Sequence, residues 1–345
     1  MPDYRLARRK GGKLKRGRLL PARDFPALEL PLKESGRLPL VLVPGLGCGV
    51  DFLNPLTNLL PDFRIIQVGL PGVDAKLPGR RFSTDELALD LLGLLEKFGI
   101  DQCLLLGYSM GGFIAQRLAL LRPSMVQRLL LLSTSPGGVS TDADTGRVLQ
   151  LLLPTWPDWV GKIRSRQHEA YAWVVGKNSN EKNPQGVAAF YASRNKPVVR
   201  LETYAAHLYC AFRFTNRALL GNIRCPTLVV HGRDDQLVGI AGGRELASRI
   251  PEARFLACDA GHITPYESPQ LPSWISDFAE GRDCGERLNP LPPLSSRELI
   301  RDREWRASRT SRLGLVAMLA ISKGLPVWVK RRLGFLRGRR TAADE

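Results

Sequence analysis

The chain has 345 residues, a length that fits one large α/β domain or two small domains. A hydrophobic fraction of 44% with a charged fraction of 24% is ordinary for a globular protein and excludes a disordered or fibrous chain. The net charge of +17 lies mostly at the two ends, because residues 1–35 carry +6, residues 285–345 carry +8 and residues 36–284 only +3. We therefore expect a basic N-terminal arm (1–35), a nearly neutral domain (36–284) and a basic C-terminal tail (285–345).

No simple membrane span or secretory signal is predicted. The most apolar stretch, 313–329, is interrupted by Lys323, Gly324 and Pro326, whereas a span needs about 18–20 uninterrupted apolar residues. The basic N-terminus is not followed by the apolar core of a signal peptide. We expect a cytoplasmic protein in which most of the six dispersed cysteines are reduced packing residues, and neither a metal nor an organic cofactor is expected.

From about residue 37, short apolar runs alternate with helical patterns. The capping box Ser83-x-x-Glu86 predicts the start of a helix that Gly99 ends, and a second helix is predicted from Met110 to Pro123. Runs typical of buried strands lie at 39–43, 63–68, 102–106, 127–132, 227–230 and 254–258. This alternation predicts a mostly parallel sheet flanked by helices.

Residues 140–220 interrupt the alternation, and we call this segment the cap. It contains no convincing strand, and its pattern predicts several helices inserted into the domain. It also holds ten of the 25 aromatic residues, which either pack the cap on the sheet or line a ligand pocket. These residues are Trp156, Trp159, Tyr171, Trp173, Phe190, Tyr191, Tyr204, Tyr209, Phe212 and Phe214.

A serine lies where a buried strand runs into a helix, in the sequence G-Y-S-M-G at 107–111. At such a turn a nucleophile has a strained backbone that lifts its hydroxyl above the sheet, and glycines two residues away leave room for this. Free N–H groups at the start of the helix face developing negative charge. The pattern predicts Ser109 as a nucleophile; the alternative is an incidental serine in a tight turn.

The chain offers four histidines as a base for Ser109. His262 follows a strand at the carboxyl edge of the sheet, the edge on which Ser109 also lies, and is our candidate. His168 and His207 lie in the cap, where a partly exposed or packing role is expected, and His231 is expected to be structural.

Such a base needs a carboxylate to fix its tautomer and stabilise the imidazolium. Asp234 and Asp235 both follow the preceding strand, and the residues alone leave both open. The order serine, acid, histidine along the chain is that of the hydrolases with a nucleophile elbow. No acidic residue directly follows Leu132, where an alternative acid could lie.

A glycine-rich loop, V-P-G-L-G-C-G at 43–49, follows the first strong strand. We expect it to supply one backbone N–H of an oxyanion hole, and Met110, the residue after Ser109, to supply the other. The alternative is a dinucleotide-binding loop. Against this alternative, the third glycine of the loop is not at the position that the dinucleotide-binding motif G-x-G-x-x-G requires, and no acidic residue ends the next strand.

These motifs occur in the order found in the α/β-hydrolase superfamily, and residues 36–284 resemble a member with a helical cap. The resemblance implies an α/β-hydrolase fold with a mostly parallel central sheet flanked by helices and a cap at about 140–220. It also implies Ser109 as the elbow nucleophile, His262 as the base of the G-H motif, and Asp235 as the acid of the G-x-x-D pattern.

The backbone N–H groups of Leu46 and Met110 match the oxyanion donors of this superfamily. Pro44 stands where many members have histidine, but the donor is a backbone group further on, so the hole is retained. Residues 69–74 begin with glycine and end with aspartate where the family has D-x-P-G-x-G, which affects the substrate side rather than the triad. The start of the glycine-rich loop, the L-P-G-V turn, the S-T-S-P-G-G run and the aromatic cap are similar to intracellular polyhydroxyalkanoate depolymerases and general carboxylesterases.

The resemblance implies a serine hydrolase that cleaves an ester, or a thioester, with a hydrophobic acyl part through an acyl-enzyme. Its substrate is expected to be a small or polymeric hydrophobic ester. Two alternatives stay open: an acyltransferase or perhydrolase with the same triad, and a non-catalytic binding protein on a hydrolase fold.

The basic tail lies outside the resemblance. It joins an apolar stretch at 313–321 to six basic residues at 330–340. This combination is typical of an amphipathic anchor on an anionic membrane or a lipid-coated granule; the alternative is a tail helix packed on its own domain. Nucleic-acid binding is not expected, because no recognised binding fold accompanies the charges.

Overall fold

The computed structural model describes residues 18–20, 27–30, 38–73, 83–137, 171–194, 199, 201–305 and 307. In this part of the chain eight strands form one sheet in the order β1-β2-β4-β3-β5-β6-β7-β8. The strands are β1 (Arg18–Leu20), β2 (Ala27–Leu30), β3 (Leu40–Val43), β4 (Ile65–Val68), β5 (Cys103–Tyr108), β6 (Val126–Leu132), β7 (Thr227–Gly232) and β8 (Arg254–Cys258).

The strands from β3 to β8 are parallel to one another, and helices follow most of them. The described helices are α1 (Asn54–Leu59), α2 (Thr84–Lys97), α3 (Met110–Leu121), α4 (Ser179–Lys182), α5 (Pro184–Arg194), α6 (Leu201–Arg213), α7 (Ile240–Arg249), α8 (Thr264–Glu267) and α9 (Leu271–Ala279). A 3₁₀ helix spans Arg217–Asn222, and residues 296–305 form a further helix, which we call the C-terminal helix.

The two faces of the sheet are both covered, as the continuous apolar strands predict. In β3, Leu40 and Leu42 point into one core cluster, while Val41 and Val43 point into the other. Alternation of side chains along a strand places neighbours on opposite faces, so each strand from β3 to β8 contributes to both clusters. This arrangement confirms the predicted mostly parallel sheet flanked by helices.

The predicted strands and helices agree with the structure to within about two residues. The capping box at the start of α2 is present, because the Ser83 hydroxyl accepts from the Glu86 N–H and the Glu86 carboxylate accepts from the Ser83 N–H. The helix ends next to Gly99, which has the positive φ of 66° that glycine tolerates. The strand predicted at 102–106 continues to Tyr108.

Two strands were not predicted. β1 and β2 lie within the segment 1–35, and both are antiparallel: β1 pairs with β2, and β2 pairs with β4. They extend the sheet beyond its parallel part. The first residues of this segment, before Arg18, lie outside the described residues.

Helices and irregular segments make up the described part of the cap, residues 171–194, 199 and 201–220. The remainder of the cap, including Trp156, Trp159 and His168, lies outside the described residues. One isolated bridge, between Gly137 and Thr215, joins the two chain segments that enter and leave the cap.

The C-terminal helix packs on the domain. Its Asp302 is buried and lies 3.1 Å from the Arg217 guanidinium, which also donates to Glu245 of α7 at 2.8 Å. Trp305 packs against an apolar cluster of α6, with its ring centroid 6.4 Å from that of Phe212. The helix at 296–305 therefore packs on the domain, whereas the apolar stretch at 313–321 lies outside the described residues. Among the described helices, none has the length and apolar character that crossing a membrane requires.

Candidate active site

Ser109 occupies the turn between β5 and α3, with φ 53° and ψ −120°. This backbone conformation is sparsely populated for a residue other than glycine. A Cβ on Gly107 would lie 2.5 Å from the Gly111 carbonyl oxygen, and one on Gly111 would lie 2.2 Å from that of Val43, so both positions require glycine. The Thr134 hydroxyl donates to the Ser109 carbonyl at 2.8 Å and fixes the turn.

The structure brings three of the predicted residues together. Asp235 Oδ2 lies 2.8 Å from His262 Nδ1, and His262 Nε2 lies 3.0 Å from Ser109 Oγ. A carboxylate can only accept, so Nδ1 carries the proton and Nε2 is left to accept from the serine hydroxyl. His262 is 4% exposed, so this arrangement lies below the surface.

The Asp235 carboxylate is surrounded by donors. Its Oδ1 accepts from the backbone N–H groups of Leu237 and Val238, both at 2.9 Å. Its Oδ2 lies 3.3 Å from His231 Nε2, in addition to its bond to His262. Burial alone would raise the pKa of this carboxyl, but the two imidazoles outweigh burial and hold the pKa well below its usual range. The carboxylate is therefore ionised at neutral pH.

Asp234, the alternative acid, is not part of this arrangement. It is half-exposed, and its Oδ2 accepts from the Lys177 backbone N–H at 3.1 Å. His231 is fully buried, and its Nε2 donates to the Val238 carbonyl at 2.7 Å. Its expected structural role therefore includes contact with the buried carboxylate.

The loop that carries His262 is bonded to the described cap. The His262 N–H donates to the Val174 carbonyl at 2.7 Å. Glu267 accepts from the Gly176 N–H with one oxygen, at 2.6 Å, and from the Gly261 N–H with the other, at 2.8 Å. Burial raises the pKa of the Glu267 carboxyl, and these hydrogen bonds oppose the shift. Glu267 was not predicted from the sequence, although a carboxylate five residues after the histidine was a usable signal.

The glycine-rich loop lies against Ser109. A Cβ on Gly45 would be 3.1 Å from the Ser109 Cβ, and the Cys48 N–H donates to the Gly45 carbonyl at 3.0 Å to close a tight turn. Leu46 lies within that turn. Met110 is the first residue of α3, where an N–H has no partner inside the helix. Both segments expected to supply oxyanion donors therefore lie next to the serine.

Two cap residues of α6 that were not assigned to the site contact this loop. The Gly47 N–H donates to His207 Nδ1 at 3.2 Å, and a Cβ on Gly47 would lie 2.6 Å from the Tyr204 ring. His207 is fully buried and not partly exposed. Thr203 and His207 lie one turn apart, and both are buried on α6. The sequence carried no signal for this contact, because His207 and Gly47 lie 160 residues apart.

Aromatic rings connect the described cap to the histidine. Successive ring centroids lie 5.3–5.9 Å apart along Tyr171, Phe190, Tyr266, Phe52, Tyr108 and His262. Tyr171 and Phe190 are buried, as are Phe212 and Phe214 elsewhere in the cap, so these cap rings do pack the cap on the domain. The described residues contain no group of three or more His, Cys, Asp or Glu that could hold a metal ion.

Comparison with known proteins identifies the family. Residues 39–269 match the family model described as the alpha/beta hydrolase fold. The protein therefore belongs to the α/β-hydrolase family, and the fold and the hydrolase class predicted from the sequence are confirmed.

Individual relatives fall within the same class. A protein of Stutzerimonas stutzeri that carries the name carbamate hydrolase RutD is 30% identical over 64% of this chain and 83% of its own length. The poly(3-hydroxyalkanoate) depolymerase of Ectopseudomonas oleovorans is 27% identical over 65% of this chain and 78% of its own length. The crystal structure of the enol-lactonase from Burkholderia xenovorans covers 74% of this chain and 97% of the lactonase, with a TM-score of 0.63 and 23% identity. These matches support an enzyme of the hydrolase type.

Proposed function

We propose that the protein is a serine hydrolase that cleaves esters with a hydrophobic acyl part through an acyl-enzyme on Ser109. The observation that carries the proposal is the continuous hydrogen-bond path from Ser109 through His262 to the buried Asp235, with distances of 3.0 and 2.8 Å. A nucleophile, a base and an orienting carboxylate in this relation are the elements of a triad.

The reaction follows from the position of each group. Ser109 Oγ attacks the carbonyl carbon while His262 Nε2 takes its proton, and Asp235 stabilises the imidazolium. The backbone N–H groups of Leu46 and Met110 stabilise the oxyanion of the tetrahedral intermediate. His262 then protonates the leaving alcohol as the bond between the alcohol oxygen and the acyl carbon breaks. A water molecule, deprotonated by His262, attacks the acyl-enzyme and releases the acid and the free serine.

Apolar side chains beside the triad support a hydrophobic acyl part. Leu46 is next to Gly45, which lies against Ser109, and Leu237 is two residues after Asp235. Both are half-buried and pack against the α6 cluster that includes Tyr204. Apolar side chains beside a nucleophile favour an apolar group over a charged one.

The relatives define which substrates to compare. Their names include a carbamate hydrolase and a polyester depolymerase. We propose p-nitrophenyl esters of two to twelve carbons, one acyl thioester, one aryl carbamate and oligomers of 3-hydroxyalkanoates as the test panel. Preference for medium or long acyl chains supports the proposal, and preference for the carbamate or for acetate contradicts the hydrophobic acyl part. Adding an alcohol or hydrogen peroxide as a competing acceptor separates hydrolysis from acyl transfer.

Covalent labelling tests the nucleophile directly. A fluorophosphonate should label the wild-type protein on Ser109, and Ser109→Ala should lose both labelling and ester turnover by several orders of magnitude while it stays folded. Ser273→Ala is the matched control, because Ser273 is exposed on α9 and its hydroxyl donates to the Gln270 carbonyl. Substantial turnover by the Ser109 variant would remove the mechanism.

We also propose that the end of the tail attaches the enzyme to an anionic lipid surface. The charge and apolar pattern of residues 313–340 supports this. A chain that ends at residue 307 retains the C-terminal helix on the domain and should keep its turnover of a soluble ester. It should bind vesicles of phosphatidylserine and phosphatidylcholine less than the full chain does, and binding by the full chain should weaken as salt rises. Equal binding by both proteins would contradict the proposal.

A further inference from the structure

His207 of α6 forms a bridge between two loops. Its Nδ1 accepts from the Gly47 N–H at 3.2 Å, and its Nε2 lies 2.9 Å from the Pro71 carbonyl oxygen. An N–H group can only donate and a carbonyl can only accept, so Nδ1 is unprotonated and Nε2 carries the proton. The imidazole is neutral in this arrangement. Its burial is complete, and burial lowers the pKa of this group to about 4.

The same helix contacts the glycine-rich loop at a second point. Gly47 has φ 67°, a conformation that favours glycine, and the Tyr204 ring occupies the space that a Cβ would need, at 2.6 Å from it. Among its contacts, α6 thus provides this loop with a hydrogen bond and a ring contact. Thr203, on the same helix, donates to the Gly72 carbonyl at 3.2 Å and therefore contacts the other loop, which contains Pro71 and Gly72.

The position of the loop bears on the reaction. Leu46 lies between Gly45, which contacts Ser109, and Gly47, which His207 holds. Preorganised donors stabilise an oxyanion only when they lie at the correct distance from it. Fixing the Gly47 N–H therefore restricts the main chain at Leu46, whose own N–H lies in the preceding peptide plane.

We infer that His207 is a positioning residue for the oxyanion hole, through which the cap holds the glycine-rich loop in its productive conformation. This inference rests on the proposed ester hydrolysis, which fluorophosphonate labelling of Ser109 tests separately. If the wild-type protein neither reacts with the probe nor hydrolyses esters, the proposed function fails. Where the wild-type enzyme is active, the variants below test the inference alone.

Two variants of His207 each keep one of its two hydrogen bonds and remove the other. In His207→Gln the amide nitrogen replaces Nε2 and donates to Pro71, but Gly47 loses its acceptor. In His207→Asn the amide oxygen replaces Nδ1 and accepts from Gly47, but the bond to Pro71 is lost. Loss of a whole oxyanion donor lowers kcat by about 10²–10³. A displaced donor loses part of this, so we expect His207→Gln to lower kcat about 10–100-fold.

The expected pattern is specific to positioning. His207→Gln should leave KM for a p-nitrophenyl ester within about threefold and weaken inhibition by a phenylboronic acid, which forms a tetrahedral adduct on serine. His207→Asn should recover kcat to within about fivefold of the wild type. A merely structural role predicts that both variants lose kcat in proportion to their loss of thermal stability, and that result would overturn the inference. Unchanged kcat in His207→Gln would overturn it as well.

Two further variants complete the test. Thr203→Val removes a hydrogen bond of the same helix to the other loop and should keep kcat within about threefold. If His207→Gln does not fold, Gly47→Ala provides the same test, because its Cβ would meet the Tyr204 ring at 2.6 Å and push the loop away from α6. It should lower kcat with KM nearly unchanged, and full kcat in this variant would refute the role of the loop.

Discussion

Replacing Asp235 with asparagine tests the triad most sharply. Oδ1 accepts from two backbone N–H groups at 2.9 Å, so an asparagine must place its carbonyl oxygen there. Its NH₂ group then occupies the position of Oδ2, 2.8 Å from His262 Nδ1. An amide nitrogen donates, so it selects the imidazole tautomer with the proton on Nε2. That nitrogen can no longer accept the proton of Ser109.

The wrong tautomer of a catalytic histidine lowers kcat by about 10⁴-fold, which corresponds to about 5 kcal/mol of transition-state stabilisation. We expect this loss for Asp235→Asn and less than about tenfold for Asp234→Asn, since Asp234 only accepts from the Lys177 N–H. Steady-state turnover of a p-nitrophenyl ester gives kcat, and circular dichroism shows that both variants are folded. If Asp234→Asn is the impaired variant, the acid has been misassigned. If neither substitution matters, the triad itself is wrong.

Three further predictions concern stability. The pKa of His207 falls from 6.5 in the unfolded chain to about 4 in the folded protein, so between these pH values the unfolded chain binds an extra proton. The free energy of unfolding should therefore fall by about 3 kcal/mol as pH drops from about 6.5 to about 4. His207→Asn should lose this part of the pH dependence in urea denaturation, and an unchanged slope would contradict it. Gly93→Ala should stabilise α2 by about 0.5–1 kcal/mol, since nothing lies within 4 Å of the added Cβ. Gly111→Ala, by contrast, should destabilise the turn that carries Ser109 and abolish activity. Thermal unfolding measures the stability of each variant, and ester turnover measures its activity. Asp302→Asn should lower the free energy of unfolding by about 3 kcal/mol, because the buried Arg217 guanidinium loses one carboxylate partner and keeps Glu245 at 2.8 Å and Glu298 at 4.0 Å. A shift in melting temperature of under one degree would refute this.

The parallel part of the fold could be predicted because its signals are local. Each strand from β3 to β8 is a short apolar run, and the helices α2 and α3 carry their own start and stop residues. β1 and β2 have only three and four residues and lie in a basic, proline-containing stretch. Their pairing with each other and with β4 stabilises them, and periodicity in so short a run does not predict pairing.

The candidate site likewise contains residues that local sequence signals predict and residues that they do not. Ser109 and His262 lie in motifs whose backbone geometry requires particular neighbours, so the sequence indicates them. Asp234 and Asp235 could not be separated by residue type, because only the direction of the side chain decides which one reaches His262. His207 could not be assigned because its partner, Gly47, lies 160 residues away in the chain. No local pattern connects two segments so distant.

The contact between Trp305 and α6 has a consequence for synthesis. The α6 cluster that it covers ends at Phe212, so the ribosome adds about 90 further residues before the covering indole exists. At ~5–20 residues per second this takes about 5–20 seconds. During that interval the cap exposes apolar side chains that the finished enzyme buries, and Arg217 has not yet acquired Asp302 as a partner. After the last strand of the parallel sheet has been translated, the nascent hydrolase therefore still lacks the ring that covers this part of its cap.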